Sequence, residues 1–140
     1  MRFWDSSALV PLLVDEPRST LAQHRLRDDP ALVVWWGTPV ECASALERRA
    51  REGTLGDLPR EKAFERLRAL QDAWTEVQPM PEVRKQALRL LRLHALRAAD
   101  ALQLAAALAW AGHEPDGLTF YTDDERLRVA AAKEGFEAAV

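Results

Sequence analysis

The stretch ALVVWWGTPVECASALERRAREG, residues 31–53, decides the fold. Its first part, ALVVWWGT (31–38), is an unbroken β-branched and aromatic run ended by glycine. A strand covered on both faces is apolar along its whole length, whereas a half-exposed one alternates. Of the adjacent Trp35 and Trp36, one must face out of its layer. The second part, TPVECASALERRAREG (38–53), predicts a helix with signals at both ends. Thr38 is a candidate N-cap, Pro39 sits in the first turn, Glu41 stands at capping-box spacing and Gly53 stops the helix. A doubly covered strand running into a helix is the repeating unit of a parallel sheet.

The rest of the chain repeats the unit. Residues 2–4 (RFW) predict a first short strand. SALVPLLVDEP (7–17) reads as a short helix, and Arg18–Arg27 as a second with Leu21, Ala22 and Leu26 on one face. Residues 59–74 predict a helix opened by proline, with Ala63, Leu67, Leu70 and Trp74 along one side. EVQPM (76–80) is a short strand. Residues 82–93 and 98–111 are helices, the second very apolar and ended by Gly112. LTFYT (118–122) is a strand, DDERLRVAAAKEG (123–135) a helix and FEAAV (136–140) a last strand. The expectation is an α/β fold: one domain over residues 1–140, with a parallel sheet of five strands flanked by helices on both faces.

Composition supports a folded domain and removes several function classes. With 140 residues, 48% hydrophobic and 29% charged, the chain can bury one sizeable core. No apolar run reaches the ~18 residues that span a bilayer, and Gln103 interrupts the longest candidate. Asp5 falls where a signal peptide needs its apolar stretch, so the expected location is the cytoplasm. Cys42 is the only cysteine, which excludes an internal disulfide or a thiol metal site and marks it as a core residue. His24, His94 and His113 are far apart in predicted surface segments, a poor basis for zinc. Ser6 and Ser7 lack a nucleophile elbow, and no phosphate-binding glycine loop occurs. The net charge of -3 argues mildly against a nucleic-acid partner. Acids loaded with Mg²⁺ would reverse that sign locally, and 19 Lys+Arg residues leave room for a basic patch.

The acids fall at informative places. Ligands of open α/β sheets bind beyond the carboxyl ends of the strands. Asp5 follows the first strand, Asp123 and Asp124 follow LTFYT, Glu41 lies in the first turn after VVWW, and Asp100 opens the apolar helix in LRAADALQLAAAL. Helix capping is the competing reading for each. Glu41 could close the Thr38 box, Asp100 could be an N-cap, and Asp123 to Glu125 could complement a helix N-terminus. For Asp5, capping is redundant beside Ser6 and Ser7. Four carboxylates at one edge call for a cation to hold their repulsion in check.

The segments DSSALV (5–10), PVECASAL (39–46), LRAADALQLAAAL (96–108) and YTDDERLRVAA (121–131), in this order and spacing, resemble the PIN domain. They are most similar to the VapC-type toxins of bacterial and archaeal toxin–antitoxin systems. The resemblance covers nearly the whole chain. It implies a parallel sheet with helices on both faces, and metal-dependent RNA cleavage by an acidic quartet that falls on Asp5, Glu41, Asp100 and Asp124. Asp123 occupies the variable place between matched positions and ranks as a further candidate ligand. Ser6 and Thr122 match hydroxyl positions that support the site. Gln103 departs from the family, many members of which carry histidine there, which puts in doubt any role for that side chain.

A carboxylate and hydroxyl ligand set without thiol or imidazole suits Mg²⁺ or Mn²⁺, with Asp5 and Asp100 as direct ligands and Glu41 and Asp124 as ligands or water-mediated partners. Arg97 could face the same mouth and contact phosphate, or be a solvated surface arginine. The expected function is a divalent-metal-dependent endoribonuclease acting as a toxin, with an antitoxin partner and a homodimeric state, both implied by the family. The alternatives are a PIN nuclease of RNA processing and a catalytically silent PIN-fold binding module. An aspartate-nucleophile phosphatase would need a second aspartate at position 7, where Ser7 stands.

Overall fold

In chain order the elements are β1 (Arg2–Trp4), α1 (Ser6–Leu13), α2 (Ser19–Asp28), β2 (Leu32–Trp35), α3 (Thr38–Arg51), α4 (Asp57–Ala73), β3 (Thr75–Val77), α5 (Pro81–Leu93), α6 (Ala98–Trp110), β4 (Thr119–Tyr121), α7 (Glu125–Glu134) and β5 (Glu137–Ala139). The structure is a computed structural model that describes residues 1–139. Every strand pairing is parallel, and the order across the five-stranded sheet is β3-β2-β1-β4-β5. The last predicted strand, FEAAV, extends to Val140, which lies outside the described residues.

The short strands are apolar because both faces are covered. Side chains alternate between faces along a strand, so each strand serves two cores. Phe3, Val33 and Phe120 join one cluster with residues of α5, α6 and α7. Trp4, Leu32, Val34 and Tyr121 join the other with residues of α1, α3 and α4. The rings of Phe3 and Phe120 stack 5.2 Å apart on the first side, and Trp4 meets Tyr121 edge-on at 4.9 Å on the second. Helix α6 is the most enclosed, with Ala101, Leu104, Ala105, Ala106 and Ala107 fully buried. Its small residues let it lie close to the sheet and to α5, leaving Leu104 as the bulk that fills the space. Leu104→Ala is expected to destabilise by about 3 kcal/mol and lower the melting temperature by roughly 10 °C, measurable by thermal unfolding.

Several local expectations are corrected. Helix α3 begins at Thr38 with Gly37 as N-cap and no side-chain cap bond. Thr38 is fully buried and its hydroxyl is engaged from α6, so no capping box forms with Glu41. Gly37 is required by crowding: a Cβ there would lie 2.6 Å from the Trp35 indole nitrogen. Helix α1 starts at Ser6 and stops at Leu13, short of the predicted DEP segment, and its N-cap is Asp5 rather than a serine. Leu21 is 46% exposed while Ala22 is buried, so the packed face of α2 is narrower than its periodicity suggests. His94 is not a surface residue: its side chain is 8% exposed and meets Glu134 at 2.8 Å. Burial alone would raise the Glu134 carboxyl, but hydrogen bonds from His94 and Arg89 outweigh it and hold that carboxyl below its usual range. Cys42 is in the core and Trp36 faces out beside a buried Trp35, both as expected. Among the described residues no helix is long and apolar enough to cross a membrane.

Candidate functional site

The chain winds β1, β2, β3 toward one edge of the sheet, then returns to lay β4 against the other side of β1. The direction of winding therefore switches between β1 and β4, where the connections leaving the two strands part and open a crevice. Asp5 follows β1 directly, and its backbone N–H donates to the Tyr121 carbonyl at 2.9 Å, tying the two strand ends together.

Asp5 is 3% exposed and acts at once as a helix cap and as the hub of a hydroxyl network. Its Oδ2 accepts from the Ser7 backbone at 3.3 Å, from the Ser7 hydroxyl, and from Thr122 Oγ1 at 2.9 Å. Ser6 Oγ lies 3.4 Å from Oδ1 and donates to Glu41 Oε2 at 2.6 Å, so one serine links the first two acids. On the other side Thr122 Oγ1 accepts the Asp124 backbone N–H at 3.0 Å, and Asp124 Oδ1 caps α7 by accepting from Leu127 N at 2.9 Å. Both readings of Asp5 and Asp124 thus hold together: the carboxylate that caps the helix is also the one at the crevice.

Electrostatics tie Asp100 to the same place. Burial raises its carboxyl, Asp124 and Asp5 push it further, and the Arg97 backbone and charge oppose. Burial likewise raises Asp5, against the hydrogen bonds from Ser7 and Thr122. Glu41 is raised by burial and by the charges of Asp5 and Asp100, against hydrogen bonds from Ser6 and Gln103. Each acid stands at the amino end of a helix, whose dipole eases the repulsion. It does not remove it. Arg97 is the exposed N-cap residue of α6, beside Asp100.

Asp123 is held differently. Its Oδ1 pairs with Arg18 at 2.7 Å, fastening the β4–α7 turn to the start of α2, while its backbone N–H donates to Ser7 Oγ at 2.9 Å. Two further side chains take part: Ser7, and Gln103, whose departure from the family's histidine does not leave it without a role. Ser7 joins Asp5, Thr122 and the Asp123 backbone through one hydroxyl. Gln103, fully buried, donates from Nε2 to Glu41 Oε2 and to Thr38 Oγ1, each at 3.1 Å. The signal for Gln103 was its place three residues after Asp100, on the same helix face and one turn deeper.

The donors fit a hard divalent cation by their chemistry. They are carboxylates and hydroxyls only, and among the described residues Glu41 Oε1 and Asp124 Oδ2 take no protein hydrogen bond. Acids raised by burial and by one another are what a cation would relieve. Among the described residues no three His, Cys, Asp or Glu side chains are already set around one point, so closing a coordination shell needs rotamer adjustment or bridging water.

Residues 2–133 match the family model described as PIN domain. The chain is 37% identical over 142 aligned positions to Ribonuclease VapC45 of Mycobacterium tuberculosis, covering 98% of this chain and 93% of that protein. VapC20 of Mycobacterium tuberculosis, described as a sarcin-ricin loop cleaving toxin, has a similar fold with a TM-score of 0.67 at 20% identity, covering 93% of this chain and 95% of its own. A chain of a toxin-antitoxin complex from Klebsiella pneumoniae superposes with a TM-score of 0.63 at 17% identity, covering 89% and 87%.

Proposed function

The chain belongs to the PIN domain family, and on that premise we propose that it is an endoribonuclease of the VapC kind, the toxin of a toxin–antitoxin pair. The observation that carries the reading is the arrival of Asp5, Glu41, Asp100 and Asp124, from four separate segments, at the switch point between β1 and β4. We read residues 1–140 as one nuclease domain working in the cytoplasm on RNA, with an antitoxin protein as inhibitor and a second copy of the chain as partner.

Asp5, Asp100, Glu41 and Asp124 would hold Mg²⁺ or Mn²⁺, Asp5 and Asp100 directly. When bound, the ion supplies an acidified water and positive charge against the negative charge that develops as a phosphodiester breaks. The protein's own part is orientation. Ser7 and Thr122 hold Asp5 Oδ2, which leaves Oδ1 with only the Ser6 hydroxyl, at 3.4 Å, among the described residues. Ser6 and Gln103 hold Glu41 Oε2, which leaves Oε1 without a protein hydrogen bond among the described residues. Thr122 fixes the Asp124 backbone and with it the start of α7. Arg97 stands where it could meet a substrate phosphate.

The test is digestion of total RNA with Mg²⁺ or Mn²⁺ and with end mapping, comparing wild type, wild type with chelator, and Asp5→Ala. Discrete new 5′ ends are expected in the first reaction alone. Equal cleavage by Asp5→Ala would remove this site from the mechanism.

A further inference from the structure

Two grooves open on either side of the acidic crevice. One, of about 460 Å³, lies between α1 and α3 and is bordered by Ser6, Val40, Glu41, Ala45, Arg48 and Ala99. The other, of about 560 Å³, is bordered by Arg97, Ala99, Asp100, Asp124 and Arg126. Ala99, in the first turn of α6, borders both. The grooves therefore adjoin at Ala99, with Glu41 on the border of the first and Asp100 and Asp124 on that of the second.

Each groove carries exposed arginine that forms no ion pair among the described residues. Among the described residues Arg48, Arg97 and Arg126 make no ion pair and no side-chain hydrogen bond. By contrast Arg18, Arg49, Arg60, Arg66, Arg89 and Arg128 are all paired with acids. The acids nearest Arg126 in sequence are already engaged: Glu125 binds Arg128, and Asp124 caps α7. The α1–α3 groove also has an apolar wall in Val10, Val40 and Ala45, with Val40 71% exposed.

We propose that these grooves are the two arms of a single-stranded RNA path across the acidic crevice. Arg48 grips a phosphate on one side of the bond to be cut, and Arg97 and Arg126 grip phosphates on the other. The proposal rests on the nuclease reading and adds the route and the residues of substrate binding. A polynucleotide presents charge on both sides of each phosphodiester, so cations flanking the carboxylates hold the target bond over them. A single small anion would use one arm only. The aliphatic wall beside Arg48 accepts the apolar face of a base, which pairs charge with hydrophobic contact.

The experiment measures binding of a random-sequence single-stranded RNA of about twelve nucleotides. It is done in Mg²⁺ on an Asp5→Asn background, which stops turnover and changes neither groove lining. Arg48→Gln, Arg97→Gln and Arg126→Gln are each titrated across a salt series. Single-strand affinity scales with log salt by about -0.7 per phosphate contact, so each variant should flatten the slope by about 0.7. At about 0.15 M salt that is roughly a fourfold loss each, and about sixtyfold for the triple variant if the contacts are independent. In the otherwise wild-type enzyme Arg48→Gln and Arg126→Gln should raise KM and leave kcat nearly unchanged, because phosphate contacts away from the scissile bond are equal in ground and transition states. All three side chains are exposed, so folding is not at stake.

Variants that keep the parent's affinity and salt slope overturn the path. So does a loss confined to an acidic protein partner while RNA binding stays intact. If the parent protein neither binds nor cleaves RNA, the nuclease reading fails instead. If it cleaves and the variants behave as wild type, the path alone fails.

Discussion

Asp100→Asn is expected to reduce RNA cleavage by about 10³-fold or more, on the scale of losing a group at the reacting centre, while leaving the metal-free protein at least as stable as wild type. That loss corresponds to about 4 kcal/mol of barrier. The stability half of the expectation follows from the pKa directions. Burial raises the Asp100 carboxyl and the charges of Asp124 and Asp5 raise it further; Glu41 and Asp5 are raised as well. An acid whose folded-state pKa lies above its unfolded value binds protons more readily when folded. Stability of the metal-free protein therefore rises as pH falls from the raised values toward the ordinary carboxylate range near 4. Neutral asparagine removes one of the repelling charges at pH 7. Adding Mn²⁺ should raise the melting temperature of wild type by mass action, and much less that of Asp100→Asn. Thermal unfolding across pH, with and without the metal, reads all of this; a metal-free Asp100→Asn protein well below wild type in stability would contradict the assigned repulsion.

Gln103→Leu is expected to lower metal affinity and cleavage by about 10- to 100-fold with little change in stability. The side chain holds Glu41 Oε2 at 3.1 Å from within α6, and the same nitrogen reaches Thr38. Its own Oε1, fully buried, has no hydrogen-bond partner among the described residues. Leucine of similar volume keeps the packing and removes that orphaned acceptor, which offsets much of the loss of one neutral hydrogen bond, to Thr38, and one charge-assisted bond, to Glu41. Glu41 then rests on Ser6 alone and can swing. Gln103→Glu sets a carboxylate against Glu41 Oε2 and should be worse than leucine on both counts. The measurements are Mn²⁺ titration calorimetry, cleavage rate and thermal unfolding of the three proteins. Wild-type metal affinity in Gln103→Leu would show that Glu41 needs no support from α6.

The parts of this molecule that follow a periodic rule could be read before folding. The continuous apolar run at β2, the alternation of strands with helices, and the acids just past strand ends all come from local sequence. What escaped depends on distant partners. Asp5 was denied a capping role because Ser6 and Ser7 looked sufficient, yet both serines spend their hydroxyls on carboxylates contributed from elsewhere or shared with Thr122. Asp123 and Asp124 are equivalent as letters. Arg18, far earlier in the chain, engages the first and leaves the second at the crevice. Thr38 looked like a cap because nothing in α3 revealed that Gln103 would claim its hydroxyl. His94 looked superficial because its partner Glu134 lies on α7, a helix away.

The sheet order β3-β2-β1-β4-β5 also governs when the crevice can close during synthesis. A nascent chain folded as far as Trp110, the end of α6, already contains Asp5, Glu41 and Asp100. It lacks β4, the strand that pairs with β1 through Phe3 and Trp4, and it lacks Thr122, which holds Asp5. The central strand is then an open edge, and the crevice has only one wall. Closure waits for a pairing of Phe3 with Phe120, among the longest-range contacts in the chain and so among the slowest to search for. A ribosome-bound fragment ending there accordingly carries three of the four acids without the strand and the hydroxyl that fix Asp5, and the crevice takes its form only once β4 has been released to dock.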